Sequence, residues 1–198
     1  MLKALVFLEK SLPILFWGLL SFTFDQPEVA ILTGIATVIH ESGHALCILK
    51  LCGYPTIINK ISGPKLKISS TSYKDELWIA LCGPLANLTF ALLTITPFLI
   101  TNSFYLLEFI LINALTAIFN LIPIFGFDGF KILYAIFSLS KNSERLLTVL
   151  YHASLAITAT LTLFSLFFVL RIGEGYWIFA LFFSILLSEI AKWQKRTF

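Results

Sequence analysis

The residues in this chain best suited to chemistry are His40, Glu41 and His44, which stand in the run HESGH within a long apolar segment. In a helix the two histidines sit one turn apart, about 6 Å in rise, so both imidazoles can face one metal ion. Glu41 projects about 60° from His44 around the same helix. There it can take a proton from a metal-bound water without itself being a ligand, and a Lewis acid brings that water's pKa to about 7. A short pattern with two free positions also arises by chance. The setting argues otherwise, because two of the chain's three histidines and an acid fall near the middle of an apolar run, where ionisable side chains are costly and mark sites.

A hydrolytic zinc site has three protein ligands and one open position, so HESGH needs another donor. Asp128 is the best candidate, flanked by glycine in FGFDGF at a break in a later apolar run. It could instead cap the helix that continues through Phe130 and Lys131. Asn87 in GPLAN and Asn120 in FNLIP are amides in apolar segments. They serve either interhelical packing or binding of a substrate backbone and a developing oxyanion, and both readings stand. Asn113 lies on nearly the same helical face as Asn120 and reads as packing. His152 has no neighbouring donor in sequence. Glu9, Glu108 and Glu189 fall near the ends of apolar runs, where snorkelling or pairing with a residue such as Lys192 suffices. Cys47, Cys52 and Cys82 show no paired spacing and read as packing residues.

The elements that must position these groups are membrane helices. With 58% hydrophobic and 13% charged residues among 198 and a mean hydropathy of +0.91, the chain cannot coat a water-soluble globule. Apolar runs near residues 4–24, 29–52, 77–100, 104–138, 146–170 and 175–191 predict an all-α polytopic membrane protein of six spans. It is read as one domain over 1–198. The first run carries Glu9 and Lys10 and lacks a clear small-residue cleavage site, so it reads as a span rather than a signal peptide. Lysines cluster between Lys50 and Lys74, and Lys141 and Arg145 follow on the same side. The positive-inside rule then places both termini in the cytoplasm, with the plasma membrane as the expected location.

Two stretches interrupt the pattern, each beside a motif. TIINKISGPKLKISS, with a turn at Ser62, Gly63 and Pro64, predicts a short β-hairpin or re-entrant element after the second span. The run from Phe104 to Ser140 is too long for a straight helix in a hydrocarbon core of roughly 30 Å and contains Pro123, Gly126 and Gly129. It predicts a broken helix whose irregular backbone lines a polar cavity. The net charge of +3 is spread over loops, and no Gly-rich phosphate loop is present, so nucleic-acid and nucleotide chemistry are unsupported.

Together HESGH, GPLAN and NLIPIFGFDG resemble the site-2 protease family of intramembrane metalloproteases. The family patterns are HExxH, then Gly-Pro-x-x-Asn, then Asn-x-x-Pro-x-x-x-x-Asp-Gly. They fall on His40, Glu41 and His44, on Gly83, Pro84 and Asn87, and on Asn120, Pro123, Asp128 and Gly129. Phe127 replaces a frequent Leu, which should not disturb ligation. The resemblance runs from about residue 30 to 135, the catalytic core it implies, and points to an intramembrane zinc endopeptidase, a minimal core similar in layout to the sporulation-factor branch. It implies one Zn2+ per chain on His40, His44 and Asp128, with Glu41 as general base. Asn87 and Asn120 would bind substrate or stabilise an oxyanion. Partners would be transmembrane protein substrates, the lipid bilayer and regulatory membrane proteins. Two rivals use the same residues: a non-catalytic scaffold binding membrane proteins, and a divalent-metal transporter, which would have no need of Glu41.

Overall fold

The structure is a computed structural model that describes residues 27–53, 56–60, 63–67, 72–173 and 175–194. The apolar run at 4–24 lies outside the described residues. In chain order the elements are α1 (Pro27–Cys52), β1 (Thr56–Lys60), β2 (Gly63–Lys67), α2 (Tyr73–Thr101), α3 (Phe104–Asn120), α4 (Asp128–Ser138), α5 (Ser143–Ile172) and α6 (Tyr176–Gln194). Among the described residues, three stretches are long and apolar enough to cross a bilayer: Glu28–Cys52, Tyr73–Thr101 and Ser143–Ile172. Phe104–Asn120 and Ile178–Ala191 are apolar but shorter. Large apolar side chains such as Ile100, Leu163 and Leu170 point outward over these helices, as suits a protein whose solvent is lipid. The chain is a helical membrane protein.

Local sequence explains where the helices begin and break. Ser72 caps α2 through a reciprocal box, its hydroxyl accepting from Asp75 N while the Asp75 carboxylate accepts from Ser72 N. This satisfies two of the donors left open at a helix start. Asn102 ends α2 in the left-handed conformation, φ 49°. The long apolar run after it divides into α3 and α4 around residues 121–127. Pro123 supplies no N–H there, and Gly126 adopts φ 97°, which favours glycine. Gly129 in the first turn of α4 lies so near the end of α3 that a Cβ would stand 2.0 Å from Leu121 O. The connection therefore folds back on itself. Between α1 and α2, β1 and β2 pair antiparallel, with Thr56 opposite Lys67 and Lys60 opposite Gly63.

Helices α1, α2 and α3 pack through small and amide residues. The buried faces are Thr33, Ala36 and His40 on α1, Ala80, Gly83, Pro84, Asn87 and Ala91 on α2, and Asn113, Thr116 and Ala117 on α3. Each set repeats at three- and four-residue intervals, one helical face, and small side chains let helix backbones approach closely in lipid. At Gly43 the approach leaves no room, since a Cβ would stand 2.4 Å from Cys82 O. The bulky apolar core lies elsewhere. Ile124 and Phe127 of the α3–α4 connection pack with Leu181, Phe182 and Ile185 of α6.

Candidate metal centre

His40 and His44 project from one face of α1, and their Nε2 atoms lie 3.1 Å apart. Asp128, the first residue of α4, brings Oδ2 to 2.9 Å from His40 Nε2 and 3.1 Å from His44 Nε2. These three form a group of metal-ligating type among the described residues. They come from positions 84 and 88 residues apart in sequence, and the break before α4 makes the meeting possible. Asp128 does not cap α4. Phe127 occupies the cap position without a side-chain bond, while the Asp128 carboxylate is 2% exposed and turned toward the imidazoles. Its other oxygen, Oδ1, accepts from Lys131 Nζ.

The hydrogen bonds around the rings place a proton on each Nδ1. Asn87 Nδ2 uses both of its donors, on Ala36 O at 3.1 Å and Asn113 Oδ1 at 3.1 Å, and Asn113 Nδ2 in turn donates to Phe109 O. Asn87 Oδ1 is therefore the atom facing His40 Nδ1 at 3.1 Å, and an amide oxygen only accepts. His40 Nδ1 must carry the proton. His44 Nδ1 faces Ile79 O at 2.6 Å and must carry one for the same reason. In the neutral rings both Nε2 atoms then hold lone pairs, and these point at each other and at the carboxylate. With the rings neutral, three acceptors converge, an arrangement that a shared cation would stabilise. Their separations suit one ion as well, since donors about 2.0 Å from a tetrahedral metal lie roughly 3.3 Å apart.

Gly83 gives the cluster its space. A Cβ there would meet His44 Nε2 at 2.3 Å and His40 Nε2 at 2.8 Å, so only glycine lets the α2 backbone pass over the Nε2 edge of both rings. Pro84 follows, and its missing N–H loosens this stretch of α2, next to the Ile79 carbonyl that His44 uses. The GPLAN element thus contributes a gap, a loosened turn and an amide.

The remaining expected residues are placed less centrally. Glu41 is exposed on α1, adjacent in sequence to His40. Asn120 Nδ2 donates to Thr116 O one turn back. Asn113, read from sequence as a packing residue, is fully buried and holds Asn87 in orientation. His152 Nδ1 bonds Thr148 O on its own helix. Glu189 does not reach for a span end. It is buried, and its Oε1 accepts from Ser154 Oγ and Phe125 N. The Phe125 N–H of the irregular connection draws the carboxylate inward, which no spacing on α6 alone discloses.

No family model matches this chain, and no curated protein does. Among solved structures it is similar to the site-2 protease from Methanocaldococcus jannaschii, with a TM-score of 0.61 over 93% of this chain and 87% of that one, at 23% sequence identity. The likeness is one of fold.

Proposed function

We propose that this chain is an intramembrane zinc endopeptidase that hydrolyses peptide bonds in or near the transmembrane segments of other membrane proteins. The observation that carries this reading is the convergence of His40 Nε2, His44 Nε2 and Asp128 Oδ2 within 3.1 Å of one another. The shared fold with a site-2 protease supports it. Zinc, when bound, supplies Lewis-acid activation of water and polarises the scissile carbonyl. His40, His44 and Asp128 would hold one such ion and leave a fourth position open.

Glu41 is the general base in this reading. It takes a proton from the attacking water and returns it to the amine that leaves, the two transfers balancing over one peptide bond. Asn87, with both donors and its oxygen engaged inside the protein, orients His40 rather than contacting substrate. Asn120 keeps the role of binding the substrate backbone or oxyanion. The pair β1–β2 is offered as the place where an unwound substrate segment adds as a strand, since a helical substrate hides its peptide bonds. In the bilayer we place six spans, counting the run at 4–24, with both termini in the cytoplasm and the plasma membrane as location. The layout is the minimal one of the sporulation-factor branch.

The test is cleavage of single-span substrates by purified, zinc-loaded protein in liposomes, with bound zinc quantified. Wild type cleaves, Glu41→Gln retains zinc and is slowed by roughly 10²–10⁴-fold, and Asp128→Asn loses zinc. Cleavage by Glu41→Gln at the wild-type rate overturns the mechanism. Zinc flux that survives the same substitution would point to transport.

A further inference from the structure

Glu189 is a buried carboxyl group, 7% exposed, on the apolar helix α6, and the hydrolytic chemistry above does not use it. A carboxyl group in such surroundings is costly unless it is bonded, so its partners identify its task. Glu189 Oε1 accepts a short hydrogen bond from Ser154 Oγ and a longer one, 3.3 Å, from Phe125 N. Ser154 Oγ also accepts from Phe125 N, at 2.7 Å. Helices α5 and α6 and the connection at 121–127 thus meet at one backbone N–H.

That N–H is bonded outside the connection. Leu121, Ile122, Ile124 and Phe127 donate to carbonyls between Ala117 and Ile124, and Pro123 has nothing to donate. Irregular backbone inside a bilayer must find partners within the protein, and for Phe125 these come from Ser154 and Glu189. The neighbours Ile124 and Phe127 pack against α6, but apolar packing is not directional. The bonds to Phe125 N are, and Asp128 follows three residues later.

We propose that Glu189, acting with Ser154, is a positioning residue for the third metal ligand. The pair anchors the connection at Phe125 and so sets Asp128 Oδ2 against the two histidines, which makes metal affinity depend on how α6 is seated on α5. This rests on Asp128 being a ligand, as read above. The experiment is titration of cobalt(II) into the metal-depleted full chain in detergent, with visible absorption reporting coordination and thermal unfolding reporting the fold. Glu189→Leu and Ser154→Ala lower cobalt affinity by roughly 10–100-fold, the usual effect of removing a ligand's support, and alter the absorption band. Glu189→Gln keeps an oxygen that accepts both bonds and stays within about threefold of wild type. Asp128→Asn, titrated alongside, separates the two readings. If it binds cobalt as tightly as wild type, Asp128 is no ligand and the proposal falls with it. If it loses cobalt while Glu189→Leu and Ser154→Ala bind normally, the metal site stands and the anchoring role is overturned. Equal losses in Glu189→Gln and Glu189→Leu also overturn it, because the accepting oxygen would then not be what matters. Should Glu189→Leu fail to fold, Ser154→Ala and Glu189→Gln give the decision.

Discussion

Lys131 Nζ lies 2.7 Å from Asp128 Oδ1, the carboxylate oxygen that the histidines leave unused. Asp128 is thereby divided, with Oδ2 facing His40 and His44 and Oδ1 held by a cation one helical turn along α4. The arrangement favours ligation through a single oxygen. Because the Lys131 side chain is 55% exposed, its contribution is screened and modest. We expect Lys131→Met to weaken zinc binding by about fivefold, the scale of a partly exposed ion pair, and Lys131→Arg to restore most of it. A competition titration against a chromophoric chelator reads both.

Gly83→Ala tests the space over the rings. The added methyl would stand 2.3 Å from His44 Nε2, inside any van der Waals contact, and α2 cannot retreat without dragging Asn87 from His40. Alanine favours a helix over glycine by about 1 kcal/mol, so helical content should hold or rise while bound zinc falls below about a tenth of wild type, as overpacking displaces the rings. Circular dichroism beside metal analysis separates the two effects. Normal zinc content would show that the helices part more easily than their packing implies.

Asn87→Ala removes the acceptor for His40 Nδ1–H and leaves that donor and Ala36 O buried. Zinc affinity should fall by roughly 10–100-fold, as for other partners of metal-bound histidines. Asn113→Ala leaves the Asn87–His40 bond in place and should cost less. Isothermal titration of the two variants gives the order, and a larger loss for Asn113→Ala would reverse the chain of orientation described here.

Metal removal should lower stability. An ion that binds only the folded chain adds about 2.7 kcal/mol when its free concentration is 100 times its Kd. Chelator-treated wild type should therefore unfold at a lower temperature than zinc-loaded protein, and Asp128→Asn should show little difference between the two conditions. A scanning fluorimetry series over zinc concentration measures it.

Much of the site could be read from sequence because its chemistry is compressed into short runs. HESGH places both nitrogen ligands and Glu41 on one helical turn, and the Pro–Gly break in NLIPIFGFDG marks where a helix must open to deliver Asp128. The supporting shell was less legible. Asn113 touches Asn87 across 26 positions and Ser154 meets Glu189 across 35, and neither spacing follows from helical periodicity. Glu189 reads as a span-end acid because its environment is supplied by a different segment. The Ile79 carbonyl belongs to no motif, since any residue has one. Its availability depends on where α2 passes His44.

The separation of the ligands along the chain bears on how the site is built. Synthesis runs from the N-terminus, and domains form in that order. His40, His44, the Ile79 carbonyl and Asn87 all belong to α1 and α2, whereas Asn113, which holds Asn87, belongs to α3. Asp128 arrives only after α3 has been made. If the three residues hold an ion as proposed, the late carboxylate completes the ligand set, so a full metal site and completion of the membrane fold would coincide.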